Sequence, residues 1–136
     1  MAEPRAPGAP SIEALDHLVL TVADMAKTIA FYVGVLGCTE VSYGAGRKAL
    51  RFGDQKINVH PDDGSMPLVA KRPTPGSADL CFLSSTPVGL WEAHLARHGV
   101  AVEVPPSPRV GATGPILSIY LRDPDDNLIE IANRVD

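Results

Sequence analysis

The chain repeats its own layout. From Leu15 to His60 it reads as strand, helix, strand, strand, strand, and from Ser77 to Asn133 the same order returns. This repetition narrows the architecture before any single residue is considered, because each unit has one apolar face to cover and the other unit is the natural partner. In LDHLVLTV the even positions Leu18, Leu20 and Val22 form an apolar face, and His17, Val19 and Thr21 form a mixed one. Asp24 is placed to cap a helix whose apolar residues Met25, Ile29, Tyr32, Val33 and Leu36 fall at helical spacing, and Gly37 is suited to end it. Short strands follow near 39–43, 48–52 and 56–60, separated by GAG and GDQ turn signals. The second copy opens with Ala78, Leu80 and Phe82 on one face and Asp79, Cys81 and Leu83 on the other. Its helix starts at Thr86-Pro87, carries Val88, Trp91 and Leu95, and stops at Gly99. Strands at 100–104, 116–122 and 127–132 complete it, with a Pro- and Gly-rich loop expected from Pro105 to Pro115.

The reading is therefore an α+β fold of two βαβββ modules, 15–60 and 77–133, whose curved sheets pair around a cleft. Together they make one domain over 15–136. The connection 61–76 holds Pro61, Pro67, Pro73 and Pro75 and reads as a linker, and residues 1–14, with Pro4, Pro7 and Pro10, read as a disordered tail without the apolar centre of a secretory signal. A chain of 136 residues suffices for one buried core.

Twelve Lys and Arg stand against sixteen Asp and Glu, giving a net charge of -4 without long runs, which argues against nucleic acid as a partner. Two cysteines, Cys38 and Cys81, make no disulfide framework, and no apolar run approaches the roughly 18 residues of a membrane span. A cytoplasmic protein acting on a small molecule is the expectation. Nucleophile-elbow, phosphate-loop and dinucleotide motifs are missing from the sequence.

The candidate chemistry lies on the faces opposite the apolar ones. Aligning the copies pairs His17 with Asp79 on the first strands and Asn58 with Glu130 on the last, with His60 beside Asn58. Glu130 stands among aliphatic residues in NLIEI, where an ionised carboxylate needs a partner, either a metal or a cation such as Arg122 or Arg134. His94 and His98 have metal-binding spacing on the second helix but read as a solvated face. Cys81 reads as a small core residue. Arg109, in PRVGATGP, reads either as a loop residue that covers the cleft and binds an anion or as an exposed loop arginine, and Ser118 and Tyr120 alternate on their strand, either lining the pocket or packing.

The two-module layout, DHLVLTV, the helix ending FYVGVLG, and RDPDDNLIEI resemble the vicinal oxygen chelate superfamily of glyoxalases, bleomycin-resistance proteins and dioxygenases. More narrowly, KALRFGDQKINVH, PGSADLCF and PRVGATGPILSIYLRDPDDNLIE are similar to the group called glyoxalase domain-containing protein five. The resemblance implies a metal held by the first and last strands of each module, hence His17, Asn58, Asp79 and Glu130. His17 and Glu130 match the common pattern. Asn58 and Asp79 depart from glyoxalase I, which usually has a carboxylate and a histidine there. His60 offers a replacement, so that His17, His60 and Glu130 hold a divalent ion (Zn, Ni, Mn or Fe), a donor set that leaves positions open for substrate. Asp79 then serves as fourth ligand, orienter or base, and Glu130 and Asp79 are the candidate proton-transfer groups. Asn58, Arg109, Ser118 and Tyr120 are the candidate substrate contacts.

The implied function is a metal-dependent lyase or isomerase of the glyoxalase type acting on a small oxygenated metabolite, as a homodimer. Two rivals stand beside it: a non-heme Fe(II) oxygenase using the same ligands, and a non-catalytic protein that sequesters a small molecule.

Overall fold

A computed structural model describes residues 6–136. Ten elements follow in order: β1 (His17–Val22), α1 (Met25–Gly34), β2 (Thr39–Tyr43), β3 (Arg47–Phe52), β4 (Gln55–Pro61), β5 (Asp79–Leu83), α2 (Val88–Arg97), β6 (Val104–Gly111), β7 (Gly114–Arg122) and β8 (Leu128–Arg134). They form two four-stranded mixed sheets, ordered β1-β4-β3-β2 and β5-β8-β7-β6. In each, the first strand of the module runs parallel to the last, and the remaining pairs are antiparallel. The two sheets repeat one topology, as the sequence repetition predicts. Residues 6–16 are exposed and carry no helix or strand, and the first five residues of the expected tail lie outside the described residues.

Local chemistry explains both helices. Asp24, in extended backbone, accepts from the Lys27 N–H at 3.0 Å and so satisfies one of the free donors that open α1. The corresponding cap of α2 comes from elsewhere: Thr86 is not the capping residue, and the Val88 N–H instead donates to Asn133 Oδ1 at 2.8 Å. Asn133 Nδ2 in turn donates to the Ser84 and Thr86 carbonyls at 2.9 and 2.7 Å. One amide on β8 thus holds the β5–α2 turn.

The segment expected as a loop, Pro105–Pro115, is largely β6. Its prolines lack a donor N–H, but β6 is the outer strand of its sheet, where one side of the ladder is unpaired, and the register shifts between Val104 and Ser107. The strand expected at 100–104 is displaced to 104–111.

A single core joins the modules. Leu20, Val22, Leu50, Ile57 and Val59 from the first pack in one cluster with Leu95, Ile119, Leu121, Ile129 and Ile131 from the second. Phe52 meets Phe82 edge to face at 5.1 Å between ring centres. Three polar links cross the same junction, the first from the Ala23 N–H to Asp125 Oδ1 at 3.2 Å. Tyr32, fully buried on α1, donates its hydroxyl to Asp123 Oδ2 at 2.7 Å, and His94 of α2 donates Nε2–H to the Val35 carbonyl at the end of α1 at 2.8 Å. His94 is therefore an interhelix contact rather than part of a solvated face.

Asp123 anchors the β7–β8 turn. Its carboxylate accepts from the Asp125 and Asn127 N–H groups at 2.9 and 3.0 Å and from Asn127 Nδ2 at 2.8 Å, which lets Asp126 adopt φ 66°. Asn127 Oδ1 then accepts from the Ala78 N–H at 2.8 Å, tying the turn to the start of β5.

Candidate functional site

The strand registers place the candidate residues. His17 faces Lys56 across the β1–β4 ladder, so Asn58 lies two steps further along; Asp79 faces Leu128, and Glu130 likewise lies two steps further. The repeat alignment that pairs His17 with Asp79 and Asn58 with Glu130 is thus a structural equivalence. His60 lies opposite Thr21, four steps from His17, or about 13 Å along the strand at roughly 3.3 Å per residue.

On the first sheet, His17 is 44 % exposed, and its Nδ1 meets Asp16 Oδ1 at 2.8 Å. That contact fixes the ring's orientation and leaves the other nitrogen to act as donor or ligand. Asn58 and His60 are buried on the side of the sheet away from α1, and Asn58 Oδ1 and His60 Nδ1 have no hydrogen-bond partner within the chain. Burial first, and then the nearby Arg47 charge, hold His60 below the usual imidazole range, in the neutral form at neutral pH.

The second sheet gathers more of the expected site. Glu130, half-buried on β8, accepts from Ser118 Oγ at 2.6 Å; Ser118 is fully buried beside it on β7. The Arg109 guanidinium stands over the Tyr120 ring, 5.3 Å from its centre. Arg109, Tyr120, Glu130 and Cys81 line one cavity of about 470 Å³. Burial and then the Glu130 charge raise the Tyr120 phenol, with Arg109 opposing. Burial, followed by the charges of Glu130 and Asp79, pushes the Cys81 thiol up to about 11, so the thiol is protonated and inert at neutral pH. Cys81 is solvent-exposed on this face rather than a core residue. Neither arginine considered as an ion-pair partner serves Glu130 in that way: Arg122 instead forms a two-pronged pair with Glu103, both contacts at 3.0 Å.

The structure therefore brings Glu130, Ser118, Tyr120 and Arg109 together, and places Asp79 on the same face two steps from Glu130. Neither His17 nor His60 lines the cavity that holds Glu130, Tyr120 and Arg109. Among the described residues of one chain, no three His, Cys, Asp or Glu side chains are grouped to hold an ion. The contacts that sequence reasoning missed, Tyr32 with Asp123 and His94 with Val35, join residues 91 and 59 positions apart.

No helix among the described residues is long and apolar enough to cross a membrane. The sequence profile of the Glyoxalase/Bleomycin resistance protein/Dioxygenase superfamily matches residues 14–131. The chain is 52 % identical over 124 residues to the virulence protein STM3117 of Salmonella typhimurium, covering 91 % of this chain and 86 % of that protein. It is 51 % identical over 126 residues to the glyoxalase domain-containing protein RDO1 of Mycosarcoma maydis, covering 93 % and 71 %. The crystal structure of STM3117 superposes with a TM-score of 0.90 over 93 % of this chain and 100 % of that one. An integron cassette protein from the mobile metagenome of V. cholerae superposes at 0.91 with 47 % identity, over 93 % and 99 %. Paired βαβββ sheets, a register shared by both modules and a profile match across nearly the whole domain agree: the chain belongs to the glyoxalase/bleomycin resistance protein/dioxygenase superfamily.

Proposed function

We propose that this protein is a divalent-metal-dependent enzyme of the glyoxalase type, a lyase or isomerase acting on a small oxygenated metabolite, with its site completed between two copies of the chain. The observation that carries the reading is the setting of Glu130: a half-buried carboxylate, one oxygen held by Ser118 at 2.6 Å, in a cavity with an arginine and a tyrosine. A carboxylate so oriented can take a proton from a carbon beside a carbonyl and return it elsewhere. Arg109 binds the anionic end of the substrate, and its stacking on Tyr120 fixes the direction of that contact.

His17, Asp79 and Glu130 would hold the metal, their donor chemistry suiting a zinc, nickel, manganese or iron ion; the four-step offset of His60 from His17 favours Asp79 over His60 as the third donor. A bound ion would supply polarisation of the substrate's oxygens. Pairing of two chains is supported by apolar side chains left open beside these residues: Val19 is 44 % exposed, Leu83 52 % and Val110 93 %. A second reading, stoichiometric capture of a small molecule without turnover, is favoured by the separation of His17 from Glu130 within one chain.

Elemental analysis of the purified protein, with sedimentation to give its mass and proton exchange of 2-oxo acids in deuterated water to give its chemistry, tests the proposal. The expected result is a dimer with about one ion per chain, metal loss in His17→Ala, and exchange about 100-fold slower in Glu130→Gln. A protein that takes up no metal and exchanges no proton refutes the enzymatic reading and leaves the capture reading.

A further inference from the structure

A second cavity, of about 410 Å³, lies where the 61–76 connection passes over the end of β1 and β4. Its walls come from the apolar side chains of Leu68, Val69 and Pro73, and its polar groups include His60, Arg72 and Thr74. Three features mark it as a built site. His60 is only 8 % exposed, lines the cavity, and carries a buried Nδ1 with no partner, an arrangement that costs free energy unless something supplies the missing bond. Arg72 contributes a full positive charge, has no ion-pair partner among the described residues, and no Asp or Glu lines the cavity with it. Leu68 and Val69 are 88 % and 45 % exposed, apolar surface that an occupant of the cavity would cover.

We propose that this cavity is a binding site, separate from the Glu130 cavity, for a small monocarboxylate with a short branched or aromatic body. The carboxylate accepts from the Arg72 guanidinium and from a ring N–H of His60, and the apolar body lies against Leu68, Val69 and Pro73. An imidazole suits this role, because a ring N–H can be offered to the anion while the charge is supplied by arginine. The volume falls within the usual range for small-molecule pockets, roughly 300–1,000 Å³. The connection between modules, β1, the end of β4, the approach to β5 at Ser77 and Ala78, and Asn127 of the β7–β8 turn form the site within one chain, so it does not require a second copy.

Titration calorimetry of the whole protein with 4-methylpentanoate, and with 4-methylpentanamide as the uncharged analogue, tests the assignment. Saturable binding of one acid per chain is expected, with the amide at least about tenfold weaker and Arg72→Gln and His60→Gln each weakened about tenfold or more. Glu130→Gln should bind the acid as the parent does, which separates this site from the proposed catalytic one. Failure to bind the acid at about 10 mM, equal affinity for acid and amide, or loss of binding in Glu130→Gln overturns the proposal.

Discussion

Replacing Tyr32 with phenylalanine tests what holds the two modules together. The ring is fully buried, and Phe fills the same space, so the change removes a hydroxyl without opening a cavity. What is lost is the 2.7 Å hydrogen bond to Asp123, a carboxylate only 4 % exposed that keeps its bonds to Asp125 and Asn127. A hydrogen bond to a charged group contributes about 1.5–3 kcal/mol, and that is the expected destabilisation of Tyr32→Phe. In urea, where a domain of this size has a slope of about 2 kcal/mol/M, the midpoint should fall by about 1 M with the slope unchanged. The pH dependence gives an independent check. Burial first, and the Asp123 charge second, raise the Tyr32 phenol above its ordinary 10.0, so above pH 10 the folded protein keeps a proton that the unfolded chain releases. The contribution of this group is therefore complete below pH 10 and declines as pH rises further. The difference between parent and variant should shrink by up to about 1.4 kcal/mol per pH unit above that point. A difference below about 0.5 kcal/mol at pH 7, or one that does not change between pH 9 and 11, would refute the claim that this bond ties the modules.

Gly76 has φ +81°, and a Cβ built there would stand 2.7 Å from the Asp125 carbonyl oxygen. Gly76→Ala should therefore cost more than about 2 kcal/mol, seen as a drop in Tm of at least about 5 °C by calorimetry; an unchanged Tm would show that the turn yields freely. Cys81, with its thiol pushed up to about 11, should be alkylated by iodoacetamide slowly at pH 8 and about tenfold faster for each unit of pH up to about 10. Glu130→Gln, by removing a charge that raises this thiol, should speed the labelling at pH 8 several-fold, read by mass spectrometry of the Cys81 peptide. A rate already at its plateau by pH 8.5 would contradict the assigned environment.

Much of the fold is legible in the sequence because its signals are local. Alternation in LDHLVLTV assigns β1 and its faces, Asp24 marks the start of α1, and the two copies of one pattern disclose two sheets. Pro105, Pro106 and Pro108 mislead because proline is read as a loop signal, whereas an outer strand tolerates it; nothing in the local sequence says which strand will be outermost. The same limit applies to the α2 cap, since Thr86-Pro87 is a sound local choice but Asn133, 45 residues away, reaches Val88 first. At the candidate site, the faces of Asp79, Ser118, Tyr120 and Glu130 follow from alternation alone. The β6–β7 register sets Arg109 opposite Ile116, so its long side chain must run along the sheet face to reach the Tyr120 ring, and that His60 lies four steps from His17 follows from parallel pairing. Neither register is encoded within one strand.

Among the described residues no backbone ladder joins the two sheets, and the modules meet through a shared core, the Tyr32–Asp123 and Ala23–Asp125 bonds and the His94–Val35 contact. Side-chain packing of this kind permits small sliding adjustments, whereas a strand ladder would have to break and re-form one whole step at a time. The angle between the sheets can therefore drift through ordinary core substitutions while each sheet stays intact. A lineage built this way can change the width of its cleft, and hence the size of the molecule it accepts, without inventing a new fold.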